Sequence, residues 1–295
     1  MTDEIPARST ITTQEPAIAD EERERERTFR ATPKLNKSPL HGLWALTNRD
    51  LVKWYKNPIQ LFISLIQPVV WLGLFGKAFN FPIPTSVLGT AGGFFSYLSA
   101  GMLAFIILFT AAFAGMSVVW DRRFGFMNKA LSTPVGRGAI VTSKVLQSVV
   151  RSLIQAAIVL GIAVAFGMDT SNFSVLTIAG SFVILFMMAF GLSSLFVMLA
   201  LRSADWQTQM AMINLLNLPL LFASNAMLPV ATMPGWLQNV VKVNPVSYAN
   251  DGVRQMLLGS TATIAPLWVD FGVLALFAGL LSVLGIVLSW RFLTK

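Results

Sequence analysis

The sequence predicts an all-α polytopic membrane protein, and three observations support this fold class. Of the 295 residues, 55% are hydrophobic and only 12% are charged, whereas soluble domains carry about 25% charged residues. The charges cluster before Asn57 and again between Asp121 and Lys144. Apolar runs between these clusters reach the roughly 20 residues that a helix needs to cross a bilayer. A soluble enzyme is therefore excluded.

The first 57 residues divide into two segments of different composition. Residues 1–38 are polar, and their low hydrophobicity predicts a disordered cytoplasmic tail. Residues 39–57 interleave large apolar side chains with charged ones such as Arg49 and Lys53. This mixture is typical of an amphipathic connecting helix in the headgroup layer. A soluble helix that docks on a partner would have the same pattern, so both interpretations stay open.

Six apolar segments follow within residues 58–295, and we predict that each is a transmembrane helix. Pro68 is expected to kink the first of them. A loop rich in proline and glycine, residues 81–93, separates the first span from the second. The predicted spans are residues 59–79, 95–119, 140–166, 173–201, 210–228 and 266–290.

The distribution of lysine and arginine predicts the orientation. Most cations precede the first span, connect the second span to the third, or follow the sixth, whereas the opposite side holds only Lys77, Lys242 and Arg254. Because cytoplasmic segments carry the excess of lysine and arginine, both termini are expected in the cytoplasm. The chain is then a multi-pass protein of the cell membrane.

Composition also argues against several kinds of chemistry. The net charge of +8 reflects cations that flank apolar spans, so nucleic-acid binding is not expected. The chain has no cysteine, and His41 is its single histidine. Thiolate, zinc and serine–histidine sites are therefore not expected.

The connection between the second and third spans, Trp120–Gly138, is the first segment with a candidate function. Phe124, Met127 and Leu131 recur at helical spacing and predict one apolar face. Pro134 should end this helix. A rigid amphipathic helix at this position could transmit force from a soluble partner, or it could merely lie on lipid.

The outer connection between the fifth and sixth spans, residues 229–259, is too apolar for a solvated loop and too broken for a span. Trp236–Val241 predicts one short helix. Asn244 and Pro245 supply the cap and first-turn proline of a second helix, and Gly259 its end. A re-entrant helical hairpin would satisfy this backbone internally. The alternative is a pair of short helices lying flat on the outer surface.

Ionisable residues in or near spans are candidate functional residues, because their desolvation is costly. Lys144 and Arg151 share a helix face in the cytoplasmic third, where both side chains can snorkel to the interface. Asp270 has no obvious partner. The remaining candidates are Asp169 in an outer turn, Asp205 beside Arg202, and Asp251, which could pair with Arg254.

Four motifs occur in order between the predicted spans. They are Arg122…Gly125…Leu131-Ser132-Thr133-Pro134-Val135…Arg137…Lys144, then Asn214-Leu215-Leu216…Pro219, then Met227-Leu228-Pro229…Met233-Pro234-Gly235-Trp236-Leu237, and Asn244-Pro245-Val246-Ser247-Tyr248-Ala249…Asp251…Arg254. Together they resemble the ABC-2 family of ABC-transporter membrane subunits, in particular the drug-resistance and nodulation-type export permeases. The resemblance covers residues 40–295.

The resemblance implies a type V ABC exporter fold with a connecting helix, six spans, a cytoplasmic coupling helix and an outer re-entrant hairpin. It implies an ATPase-coupling site at Asp121, Arg122, Arg123, Phe124, Gly125, Met127, Lys129 and Leu131. It also implies an outer hairpin that includes Pro234, Trp236, Asn244, Pro245, Tyr248, Asp251 and Arg254.

The implied partners are two copies of an ABC ATPase, a second permease (identical or paralogous) and membrane lipid. ATP and Mg²⁺ are expected in the ATPase and no cofactor in this chain, which lacks a Gly-x-x-x-x-Gly-Lys-Ser/Thr loop. The expected substrate is a hydrophobic or amphipathic molecule such as a drug, lipid or lipid-linked glycan.

Two other functions remain alternatives. A proton-coupled secondary transporter needs a carboxylate near the midplane, for which Asp270 is the nearest candidate. A membrane-embedded enzyme or scaffold would need polar groups clustered at one membrane face, and the sequence offers no such cluster.

Overall fold

The computed structural model describes residues 39–78, 83–127, 136–203 and 205–292, and these residues form helices and short connections without a strand. The predicted tail, residues 1–38, lies outside the described residues. The helices are α1 Pro39–Tyr55, α2 Pro58–Gly73, α3 Thr85–Leu88, α4 Gly93–Arg123, α5 Arg137–Ala165, α6 Val175–Arg202, α7 Trp206–Phe222, α8 Gly235–Val241, α9 Pro245–Leu258 and α10 Leu267–Phe292.

Five helical segments of the described chain are long and apolar enough to cross a membrane. They overlap the first, second, third, fourth and sixth predicted spans: Pro58–Ala78, Thr85–Arg123, Gly138–Ala165, Val175–Arg202 and Leu267–Gly285. In the first, Pro68 lies inside α2, and a π-helical turn at Leu74–Ala78 continues it.

The segment predicted as the fifth span, residues 210–228, has a different structure. Asp205 caps the start of α7, whose 17 residues end at Phe222 and extend about 25 Å. Turns and bends then lead to a short 3₁₀ helix at Val230–Thr232. The count of six spans therefore stays a prediction.

The helix α4 forms the centre of the bundle. Every residue from Ser96 to Leu108 is buried, because α2, α5, α6, α7 and α9 all pack against it. A helix that is apolar on all sides is expected at such a position. Its small residues let neighbouring backbones approach closely: a Cβ on Gly101 would overlap the Ala226 carbonyl oxygen, and one on Gly115 the Phe196 carbonyl oxygen.

The remaining helices surround this centre. The connecting helix α1 lies against α5 and the start of α2. The helix α9 packs on α4, α6 and α10. The two ends of the bundle are named below by their charged residues: the Lys144 end, where α1, α4 and α5 meet, and the Arg254 end, where α9 meets α4.

Candidate functional site

The predicted coupling segment begins as a direct continuation of α4. Asp121, Arg122 and Arg123 form the last turn of that helix. Phe124 and Gly125 make a turn in which Gly125 has a φ of 71°, a conformation that favours glycine. Lys129 and Leu131, which were predicted to belong to the same site, lie outside the described residues.

The described coupling residues divide into two groups by their contacts. Arg122 donates hydrogen bonds to the carbonyl oxygens of Ser203 (3.1 Å) and Leu201 (3.2 Å). Met127 is buried, whereas Phe124 is 79% exposed, so these two residues do not share the predicted apolar face. Arg123 is exposed as well. Arg122 and Met127 therefore hold the segment on the bundle, and Arg123 with Phe124 forms its free surface.

An ion network at the Lys144 end joins three helices. The Lys144 ammonium contacts Asp50 Oδ2 at 2.6 Å and also pairs with Asp121. Arg49 pairs with Asp50 at 2.5 Å and with Asp121 at 3.6 Å. Its guanidinium carbon lies 3.7 Å from the ring centroid of Phe126. The network thus ties α1 and α5 to the end of α4, beside the coupling segment.

The prediction that Lys144 snorkels to the interface is wrong. Its side chain is only 5% exposed, because two carboxylates neutralise the ammonium within the bundle. Burial raises the pKa of the Asp50 carboxyl, but Lys144 and Arg49 outweigh this effect. The pKa of Asp50 therefore lies below its ordinary value, and the carboxylate is ionised at neutral pH.

Asp205 has a structural role at the start of α7. Its carboxylate accepts a hydrogen bond from the Thr208 backbone N–H at 2.7 Å, as an N-cap aspartate does. This hydrogen bond lowers the pKa of the exposed Asp205 carboxyl. Asp169 lies in a turn, where it accepts from the Ser171 N–H at 3.0 Å.

At the Arg254 end, both predicted short helices are present as α8 and α9. Pro234 precedes α8, Pro245 occupies the first turn of α9, and Gly259 ends α9 in the left-handed conformation. Trp236 is 70% exposed on α8. The Tyr248 hydroxyl donates to the Lys242 carbonyl at 2.6 Å, which closes the connection between the two helices.

Asn244 links this hairpin to the end of α7. Its Oδ1 accepts from the Val246 N–H at 3.0 Å and so caps α9. Its Nδ2 donates to the carbonyl oxygens of Leu220 (2.8 Å) and Ala223 (2.7 Å). The last carbonyls of a helix have no partner within that helix, and here a side chain from another segment supplies two hydrogen bonds.

Arg254 donates hydrogen bonds to carbonyl groups of the irregular backbone that follows α7. Its guanidinium is fully buried between α9 and α4. It donates to Asn225 O at 2.8 Å, to Ala226 O at 2.9 Å and twice to Tyr97 O at 3.1 Å. The Tyr97 ring centroid lies 3.5 Å from its guanidinium carbon. Arg254 therefore fastens α4, α9 and residues 225–226 to each other.

The predicted pair of Asp251 with Arg254 is wrong, since no salt bridge joins them in the described chain. Asp251 Oδ2 instead accepts from the N–H groups of Ile264 (2.7 Å) and Ala265 (3.2 Å). Asp270 does have a partner, because Gln255 Nε2 donates to its Oδ2 at 2.7 Å. Both acidic groups thus bond to N–H donors near the start of α10.

Arg151 also differs from its prediction. It lies over the Trp54 ring, with 5.5 Å from its guanidinium carbon to the ring centroid, and both residues line a cavity between α1, α2, α4 and α5. Sequence reasoning did not select Trp54 or Gln155 as site residues. The polar residues of α5 at helical spacing, from Lys144 through Arg151 to Gln155, were the available signal. Among the residues with described positions, no cluster suited to a metal ion is found.

The family model described as ABC-2 type transporter matches residues 41–258. The chain belongs to the ABC-2 type transporter family. Within this family it is similar to the putative transport permease ycf38 of Pyropia yezoensis, with 32% identity over 77% of this chain and 78% of the relative.

Two further relatives of this ABC-2 family member have names that mention drugs. The daunorubicin resistance ABC transporter permease protein DrrB1 of Streptomyces coeruleorubidus is 26% identical over 88% of this chain and 86% of the relative. The probable multidrug ABC transporter permease YbhR of Escherichia coli K12 is 28% identical over 48% of this chain and 38% of the relative.

We predict that Arg254→Lys lowers the free energy of unfolding by about 2–4 kcal/mol, because a single ammonium nitrogen replaces the three guanidinium nitrogens that reach three separate carbonyls, and buried acceptors are left unpaired. Thermal unfolding of the purified protein in detergent measures the effect. Lys242→Gln is the matched control, since Lys242 is an exposed cation on the same segment and its change should stay within about 0.5 kcal/mol. Equal stability of the two variants would contradict the anchoring role of Arg254.

We predict that Asp50 and Lys144 are energetically coupled across α1 and α5. Asp50→Asn and Lys144→Gln should each destabilise the protein, and the double variant should lose about 1–2 kcal/mol less than the sum of the single losses. The same cycle with Lys56, an exposed cation of the same region, should be additive. A coupling near zero for Asp50 and Lys144 would mean that the network does not hold α1 on the bundle.

Proposed function

We propose that this chain is the membrane-spanning permease subunit of an ATP-driven ABC exporter that moves a hydrophobic or amphipathic substrate out of the cell. The observation that carries the proposal is the position of the coupling segment. Arg123 and Phe124 form an exposed cationic and aromatic surface at the end of α4, the central helix of the bundle. Membership of the ABC-2 family and the names of the relatives support the same function.

The helix α4 gives this surface a direct mechanical connection to the Arg254 end. From Tyr97 to Arg123 the helix is continuous and spans about 39 Å. Its last turn is held to α1 and α5 by the Lys144 network, and the Tyr97 carbonyl is held to α9 by Arg254. A displacement of the coupling segment therefore moves the hairpin as well.

In the proposed orientation the chain lies in the cell membrane, with the Lys144 end and both termini cytoplasmic and the Arg254 end external. The distribution of lysine and arginine supports this orientation. The α8–α9 pair then acts as an outer re-entrant hairpin. In its support, α9 packs among α4, α6 and α10, a position that two helices lying flat on the surface would not have.

In the proposed assembly, two ATPase subunits bind two permease subunits, and the second permease is an identical chain or a paralogue. ATP and Mg²⁺ bind in the ATPases, whose closure pushes on Arg123 and Phe124. The face of α2 that includes Ile59, Phe62 and Ile66 is exposed, so it is available to lipid or to the second permease. Substrate crosses between the two permeases.

We predict that Arg123→Glu and Phe124→Ala each reduce co-purification of the ATPase by about tenfold, since they remove a charge and an aromatic anchor from the contact. The full chain is tagged, extracted gently from its native membrane, and the bound ATPase is quantified. Arg122 is unsuitable for this test, because its hydrogen bonds to Ser203 and Leu201 make any change structural.

The control is Lys242→Glu, a charge reversal of an exposed cation placed on the other membrane face by the proposed orientation. It should leave ATPase binding unchanged. Full ATPase binding by both coupling variants would place the contact elsewhere on the chain. Transport by the purified chain alone, driven by a proton gradient and abolished in Asp270→Asn, would replace the proposal by a secondary transporter.

A further inference from the structure

A cavity of about 600 Å³ lies between α1, α2, α4 and α5, near the Lys144 end of the bundle. This volume falls within the range of ligand pockets, roughly 300–1,000 Å³. The helix α5 contributes a polar stripe to its wall: Lys144, Gln147, Ser148 and Arg151. These residues recur at intervals of three or four, so they share one face of a spanning helix.

Two cations of this stripe differ in their partners. Lys144 is paired with Asp50 and Asp121. Arg151 lies seven residues further along α5, about 10 Å deeper in the bundle. Its guanidinium makes no ion pair with any residue of the described ranges, and its Nε has no hydrogen-bond partner there. A cation left unpaired in a spanning helix is a strong indication of a ligand site.

Trp54 adds a second donor beside Arg151. Its side chain is 5% exposed, and its indole Nε1 likewise has no hydrogen-bond partner in the part of the chain that the structure describes. Indole N–H and guanidinium groups only donate hydrogen bonds. The two groups together therefore require an acceptor, and the positive charge of Arg151 favours an anionic one.

The deeper wall of the bundle needs no such ligand, because its polar groups satisfy each other. Thr110 Oγ1 donates to Gln155 Oε1 at 2.7 Å, and Gln155 Nε2 donates to Ser64 Oγ at 2.5 Å. These hydrogen bonds join α4, α5 and α2 one turn beyond Arg151. Among the residues that line the cavity, the buried side-chain donors without a hydrogen-bond partner in the described chain are Arg151 Nε and Trp54 Nε1.

The cavity also has three large apolar side chains, beside polar lining residues of α2 and α4 such as Gln60, Gln67 and Ser117. Ile63, Phe113 and Trp120 line it, and their side chains are 60%, 45% and 48% exposed. An anion bound at Arg151 would share the cavity with these exposed apolar groups. The cavity therefore matches a molecule with an anionic head and an apolar tail.

We propose that this cavity binds an amphiphile with a phosphodiester headgroup, whose oxygens accept hydrogen bonds from Arg151 and Trp54 while its chains pass Ile63 and Phe113. The planar guanidinium suits phosphate oxygens, which it can bind through two N–H groups. The inference narrows the substrate class of the proposed exporter. Only its transport step rests on that proposed function, since binding requires neither ATP nor an ATPase.

The test measures binding of two fluorescent lipids to the purified full chain in detergent. One is phosphatidylglycerol, and the other is diacylglycerol with the same acyl chains and label, so the two differ only in the anionic head. We expect the wild-type chain to prefer phosphatidylglycerol by about tenfold, as expected for a charge-assisted hydrogen bond. Arg151→Gln should abolish this preference, whereas Arg151→Lys should retain part of it.

Trp54→Phe retains an aromatic ring but removes the N–H, so it should weaken phosphatidylglycerol binding by a smaller factor, about threefold. The matched control is Lys56→Gln, because Lys56 is an exposed cation that does not line the cavity. The control should bind both lipids as the wild type does. Unfolding temperatures of all variants show that each remains folded.

Three outcomes would overturn the proposal: equal binding of the two lipids by the wild type, an unchanged preference in Arg151→Gln, or an equal loss in Lys56→Gln. Displacement of the probe by inorganic phosphate at the same concentration as the lipid would also overturn it, because the apolar groups would then contribute nothing. In vesicles with the ATPase, ATP-driven movement of phosphatidylglycerol tests transport separately. Binding without movement would contradict the export step and leave the binding site established.

Discussion

The hydrogen bonds of Arg254 to carbonyl oxygens are the constraint on which the Arg254 end depends. The chain between α7 and α8 is not a regular helix, so its carbonyl groups cannot be satisfied within the segment. Irregular backbone at membrane depth is tolerated only where protein supplies the missing partners. Arg254 supplies them for residues 225 and 226, and Asn244 does so for Leu220 and Ala223. Without these donors, α9 would lose its polar links to the end of α7 and to α4, and the carbonyl groups would be left unpaired.

The same hydrogen bonds explain why α4 can be the central helix. Its own side chains are mostly apolar, and apolar contacts are not directional. Polar contacts fix it near both ends: Tyr97 O to Arg254 at one and Asp121 to Lys144 at the other. Because the helix between them is unbroken, a displacement at one end is transmitted to the other. The few polar contacts thus determine the register of a largely apolar core.

The sequence predicted the elements whose signals are local. Five of the six predicted spans overlap helices long and apolar enough to cross a membrane, and the ends of α9 follow from Asn244, Pro245 and Gly259. The partners of charged groups could not be predicted, because they depend on tertiary contacts. Asp50 and Lys144, for example, are 94 residues apart in the chain. The i, i+3 spacing of Asp251 and Arg254 predicted a salt bridge between them. In the structure Arg254 bonds to backbone carbonyl groups instead, and Asp251 to backbone N–H groups. The end of α7 at Phe222 was not predicted either, because the mostly apolar sequence continues to Leu228 with only Ser224 and Asn225 as interruptions.

The contrast between Lys144 and Arg151 separates charges that stabilise the fold from charges available for binding. Both lie on one face of α5 and line one cavity, and sequence alone assigns them the same behaviour. Two carboxylates neutralise the buried Lys144, and the resulting ion pairs link α5 to α1 and α4. Arg151 receives an aromatic ring, which stabilises a cation but accepts no conventional hydrogen bond from its N–H groups. Its donors therefore stay available to an anion, at a depth that a water-soluble ion reaches less readily than the headgroup of a lipid.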